Sequence, residues 1–134
     1  MSSTMETKKL FLVDNDDIFC FAAEVLIKSR NLAHEVARFE NGLEALNALK
    51  TLVDSPDELP AILLLDLNMP IMSGWEFLDE IKTGPEIFTK KIAIYILTSS
   101  IAPEDVTKSK DYPFLEGYIT KPLTVEDIDR VSAK

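Results

Sequence analysis

Apolar stretches recur along the chain, and each gives way abruptly to polar chemistry. Leu10–Phe11–Leu12–Val13 ends at Asp14–Asn15–Asp16–Asp17, Ile62–Leu63–Leu64–Leu65 at Asp66, Ile92–Leu97 at Thr98–Ser99–Ser100, and Phe114–Thr120 at Lys121–Pro122. The central run is too short for a helix and shows no alternation, which suits a strand covered on both faces in a parallel sheet. Asn68 and Pro70 turn the chain directly after it, leaving Asp66 at the strand's carboxyl end. A weaker strand is predicted at Glu35–Phe39, interrupted by Glu35 and Arg38.

Helical spacing fills the intervals. Ile18, Phe21, Ala22, Val25 and Leu26 fall at i, i+3, i+4, i+7 and i+8 behind Asp16 or Asp17 as N-cap, which predicts an amphipathic first helix with those residues inward. On this count Cys20 lies on the opposite face, an inert surface thiol. Asn41–Gly42 starts a second helix carrying Leu43, Leu46, Leu49 and Val53, and polar Asp54–Pro60 links it to the central strand. Ser73–Gly74 opens a third, with Trp75, Leu78 and Ile81 inward and an end near Gly84–Pro85. Pro103 is placed to open a fourth, supported only by Val106 and Tyr112; Thr124 caps a fifth, with Val125, Ile128 and Val131 inward. Met1–Thr7 is polar and aperiodic and reads as a flexible tail.

Five strands alternating with five helices predict a doubly wound α/β sandwich: a five-stranded parallel sheet with helices on both faces. Two strand orders suit such a chain, and the flavodoxin-like 2-1-3-4-5 order sets strands one and three side by side.

Composition narrows the function. At 134 residues and 46% hydrophobic content the chain reads as one domain with a substantial core. Its 14 basic and 23 acidic residues give a net charge of −9, which argues against a nucleic-acid partner. No apolar run approaches the roughly 20 residues that span a bilayer, and Met1–Lys9 lacks a signal-peptide core. Cys20 is the only cysteine, so no intrachain disulfide forms. The expectation is a soluble cytoplasmic protein that does not engage a membrane.

The candidate chemistry lies where the strands finish. In the predicted fold Asp14, Asp66, Thr98 and Lys121 gather at the carboxyl edge of the sheet, where open α/β folds bind ligands. Crowded carboxylates repel unless a cation sits among them, and oxygen ligands from Asp14, Asp66 and a backbone carbonyl suit Mg²⁺. His34 and Cys20 stand on different segments, so zinc is not expected. Beside a cation, Asp66 can attack phosphorus to form an acyl phosphate, while Lys121 and the Thr98 hydroxyl hold phosphoryl oxygens.

Val13–Asp14–Asn15–Asp16, Leu65 to Gly74 (LDLNMPIMSG), Leu97–Thr98–Ser99–Ser100 and Gly117 to Pro122 (GYITKP) resemble the signature blocks of response-regulator receiver domains, over about Lys8 to Val131. The resemblance implies the 2-1-3-4-5 order and assigns Asp66 as acceptor of a phosphoryl group from a histidine kinase or phosphotransfer protein. It implies Mg²⁺ held with Asp14 and the Asn68 backbone carbonyl, and Thr98 with Tyr118 as a switch pair that repacks the face made by the fourth helix, fifth strand and fifth helix. It also implies a cis Lys121–Pro122 bond. Asn15 departs from the pattern: the family usually has an acid there, and an amide keeps an oxygen ligand but loses a charge, so metal affinity is expected to fall, with Asp16 a possible compensator. Only twelve residues follow Pro122, which points to action by docking on an unidentified protein or by passing phosphate onward. Ile101, Val106, Tyr112 and Tyr118 are the solvent-facing docking candidates.

Two rivals are weighed. A pseudo-receiver, a binding module without phosphorylation, has Asn15 as its support and Asp66, Thr98 and Lys121 against it. A haloacid-dehalogenase-type phosphatase would use Asp14–Asn15–Asp16 as its nucleophile motif, but the later acidic pair and cap are missing.

Overall fold

The computed structural model describes residues 8–133, so the tail predicted at Met1–Thr7 lies outside the described residues. Strands β1 (Lys9–Val13), β2 (Glu35–Phe39), β3 (Ile62–Asp66), β4 (Ala93–Thr98) and β5 (Leu115–Thr120) form one sheet in the order β2-β1-β3-β4-β5, every pairing parallel. The fold class expected from the sequence is borne out. All five residues of β3 are buried, as an unbroken apolar run at the centre of a sheet requires.

Alternate side chains of each strand enter two cores. On one face Phe11, Val13, Leu63, Leu65, Ile94 and Ile96 pack against helices α2 (Gly42–Lys50), α3 (Gly74–Thr83) and α4 (Ile87–Lys91). On the other, Leu10, Leu12, Leu64, Leu97 and Ile119 pack against α1 (Asp17–Ser29) and α6 (Val125–Ser132). Helix α5 (Pro103–Ser109) contributes no buried residue to either. Its best anchors are borrowed: the Tyr118 hydroxyl donates to the Asp105 carbonyl at 2.9 Å, and Lys108 lies 5.1 Å over the ring of Trp75. Trp75 in turn stacks on Tyr112 at 5.6 Å, and the Tyr112 hydroxyl donates to Asp79 of α3.

Several expectations need correction. Helix α1 is rotated from its predicted phase: Cys20, Ala23 and Ile27 face the core, while Ile18 and Phe21 are 84% and 75% exposed and Val25 also faces solvent. Cys20, read as a surface thiol, is 3% exposed. Both faces of this helix are apolar, so periodicity alone cannot choose between them. Asp16 accepts the Phe19 backbone N–H at 3.0 Å and is itself tied through its own N–H to Asp14 at 2.8 Å, which fixes where the first turn begins.

Helix α2 ends at Lys50, leaving Leu43 exposed and Val53 beyond its end. Helix α4 was not expected, because five residues with only Phe88 buried carry too little periodicity to read. The fourth and fifth helices of the sequence reading are therefore α5 and α6. Tyr112 is buried rather than solvent-facing, so it leaves the set of docking candidates; Ile101 and Val106 remain exposed and Tyr118 is half-buried. Among the described residues no helix is long and apolar enough to cross a membrane.

Candidate functional site

Strand register delivers the predicted residues to one edge. Val13 lies opposite Leu65 in the β1–β3 pair, so Asp14 and Asp66 leave the sheet side by side. Asp66 pairs with Leu97 across β3–β4, which sets Thr98 one step beyond it, and the Lys121 N–H donates to the Thr98 carbonyl at 2.8 Å to bring the lysine round. The Lys121–Pro122 peptide that follows is cis.

The lysine closes the group. Lys121 Nζ lies 2.7 Å from Asp14 Oδ2 and 3.8 Å from Asp66 Oδ1. Asp14 is wholly buried and Asp66 only 7% exposed, so the two acids share a poorly solvated space with a single ammonium. Burial, then the neighbouring Asp14 charge, holds the Asp66 carboxyl above its ordinary value; Lys121 and the backbone N–H groups of Asn68 and Leu67 oppose this. Burial also weighs against the Lys121 ammonium, but its hydrogen bond and charge pairing with Asp14 prevail and raise its pKa.

The supporting loops are tightly specified. Ser73 and Glu76 form a reciprocal capping box at the start of α3, whose first residue, Gly74, passes directly over the end of β3. A Cβ at Gly74 would overlap the Asp66 carbonyl oxygen and approach the Leu67 Cα to 2.9 Å, so only glycine fits without movement. Exposed Ile71, in the same β3–α3 loop, holds φ at 68°, a left-handed conformation that a β-branched residue adopts only under strain. Arg38, which seemed merely to interrupt β2, donates to the Asp14 carbonyl at 3.3 Å and pairs with Asp17, bracing the β1–α1 loop.

The donor set fits a hard cation, with reduced charge. Asp14 and Asp66 supply carboxylates, and the exposed Asn68 lies just past Asp66, where its backbone carbonyl is the candidate third ligand. Asn15 is exposed and uncharged at pH 7. The expected compensator is occupied, since Asp16 caps α1, and Asp17 is paired with Arg38. No group of three or more His, Cys, Asp or Glu residues suited to a metal occurs among the described residues.

The two residues expected to form the switch pair are both hydrogen-bonded to backbone carbonyls here. The Thr98 hydroxyl donates to the Ser100 carbonyl at 2.7 Å, and Tyr118 is engaged with α5. Sequence reasoning missed one neighbour: Phe19, whose ring centroid is 4.8 Å from Lys121 Nζ.

A family model described as the response regulator receiver domain matches residues 10–132. Response regulator Rcp1 from Synechocystis sp. is 30% identical over 122 residues, spanning 90% of this chain and 81% of Rcp1. A manganese-bound structure of Rcp1 superposes with a TM-score of 0.70 at 28% identity, over 93% of this chain and 88% of that one. A two component response regulator from Cytophaga hutchinsonii gives a TM-score of 0.86 at 28% identity, over 96% of both chains. The phosphorylated cyanobacterial phytochrome response regulator RcpA gives 0.74 at 29% identity, over 94% of this chain and 89% of that one.

Proposed function

Because the chain belongs to the response regulator receiver domain family, we propose that it is a phosphoacceptor of two-component signalling, with Asp66 receiving a phosphoryl group from the phosphohistidine of a histidine kinase or phosphotransfer protein. One observation carries this reading: the Lys121 ammonium, 3.8 Å from Asp66 and 2.7 Å from Asp14, beside two buried carboxylates at the carboxyl edge of a parallel sheet.

In the proposed reaction an Asp66 carboxylate oxygen attacks phosphorus, the phosphorus–nitrogen bond of the donor breaks, and its electron pair returns to the imidazole. The product is an acyl phosphate on Asp66. Lys121 exchanges part of its hold on Asp14 for a phosphoryl oxygen. The Thr98 hydroxyl turns from the Ser100 carbonyl to another phosphoryl oxygen, and Tyr118 releases the Asp105 carbonyl as it moves, freeing α5. A divalent ion, Mg²⁺ in this proposal, would be held by Asp14, Asp66 and the Asn68 carbonyl, with the Asn15 amide as a weak fourth oxygen, and would neutralise negative charge on the phosphoryl group. The reaction takes place in the cytoplasm, and the downstream target is a protein that reads the face of α5, β5 and α6.

A second reading, a receiver-fold module that binds without being phosphorylated, is favoured by Asn15 together with the engagement of Asp16 and Asp17 elsewhere. One experiment separates the two. Incubation with acetyl phosphate and Mg²⁺ followed by intact-mass measurement is expected to add one phosphoryl group to the wild type and none to Asp66→Asn. No adduct on the wild type selects the binding module, and an adduct that survives Asp66→Asn moves the site elsewhere. Mg²⁺ titration is expected to give tighter binding in Asn15→Asp; equal dissociation constants would remove the role given to Asn15.

A further inference from the structure

Lys121 is gripped from more than its acidic side. Its ammonium has Asp14 at 2.7 Å, Asp66 at 3.8 Å and the Phe19 ring at 4.8 Å, inside the range of a cation–π contact. These contacts close a circuit. Asp14 Oδ1 accepts the Asp16 N–H, Asp16 Oδ1 accepts the Phe19 N–H, the Phe19 ring bears the Lys121 ammonium, and that ammonium reaches back to Asp14 Oδ2. Both oxygens of one buried carboxylate thus fix the lysine, one directly and one through the first turn of α1.

We propose that Phe19 is a positioning residue for phosphoryl transfer, its ring seating the Lys121 ammonium beside Asp66. This role rests on the reading of Asp66 as the phosphoacceptor. A ring face attracts a cation without taking one of its N–H donors, so all three remain for oxygen partners. A third carboxylate in that place would compete with the incoming phosphoryl group for the same protons. The ring instead restrains a long, rotamer-rich side chain on its open flank, where a hollow lined by Ile18, Phe19, Ala22, Ser99 and Pro122 would otherwise let it swing away.

The test compares wild type, Phe19→Leu and Phe19→Tyr. Leucine keeps apolar bulk and loses the ring; tyrosine keeps the ring. The initial rate of Asp66 phosphorylation by acetyl phosphate with Mg²⁺ is expected to fall about fivefold in Phe19→Leu and to stay within about twofold of wild type in Phe19→Tyr, the size of one partly desolvated cation–π contact. Proton NMR supplies a readout that needs no phosphorylation: the Lys121 ε-methylene signal should be shifted upfield by the ring current in wild type and Phe19→Tyr, and return downfield in Phe19→Leu. A leucine variant as fast as wild type overturns the role, as does equal loss in both variants or a wild-type signal with no upfield shift. If wild type gains no phosphoryl adduct while the upfield shift is present, the phosphoacceptor reading fails and takes the role with it, though the contact stands.

Discussion

Around Asp66 the side chains grow from strand ends, three of them from the buried β1, β3 and β4, whereas α5, at the same edge of the sheet, places no residue in either core. The acids are held by the strands themselves, by ion pairing to the half-buried Lys121 and by the close crossing of Gly74. The contacts that hold helix α5 include a tyrosine hydrogen bond and a lysine resting on an indole. The difference teaches where movement is cheap. A new charge at Asp66 cannot be relieved by shifting β3 without opening both cores, but α5 moves at the cost of a few surface contacts.

The sharpest way to break this comparison is to remove the cation that pairs with the buried acids. Lys121→Met leaves wholly buried Asp14 without its ammonium and should cost about 3 kcal/mol in urea unfolding, while Val106→Ala on α5 should change stability by no more than about 0.5 kcal/mol. Similar losses would erase the contrast. Gly74→Ala drives a methyl group into the backbone of Asp66 and Leu67 and should cost about 2 kcal/mol, read the same way.

Tyr118→Phe removes only the hydroxyl that holds the Asp105 carbonyl. It should cost about 1 kcal/mol or less and speed amide hydrogen exchange in α5, leaving α3 unchanged. Equal exchange rates in the two helices of wild type would count against a loosely held α5.

The smallest effect is a pH dependence. Burial and Asp14 raise the Asp66 carboxyl above 3.8, so the folded state binds this proton more tightly than the unfolded chain does. Its contribution to stability is complete below 3.8 and declines as pH climbs through the raised value. Asp66→Asn should abolish that decline and be the more stable protein at neutral pH, measured by thermal unfolding across the range.

The edge of the sheet was legible in the sequence because strands buried on both faces leave a one-dimensional mark: an apolar run, then a polar residue that must emerge at its end. Asp14, Asp66 and Thr98 could be picked out on that ground, and Lys121 on the weaker run of half-buried β5. The rotation of α1 was not legible, since Ile18–Phe21–Ala22–Val25 and Cys20–Ala23–Ile27 both fit helical spacing. The composition held a clue, as cysteine is among the residue types most often buried. Burial pushes the Cys20 thiol up to about 11, against partial relief from Arg38, which marks how far it is from the surface thiol expected. Arg38 and Phe19 were missed because their partners lie on other segments, at distances no single-chain pattern records.

The chain contains one tryptophan. Trp75 is rooted in the first turn of α3 and meets α5 through Lys108, with Tyr112 stacked behind it. An indole so placed is a native optical gauge: its emission should vary with how closely α5 is seated, with no label added.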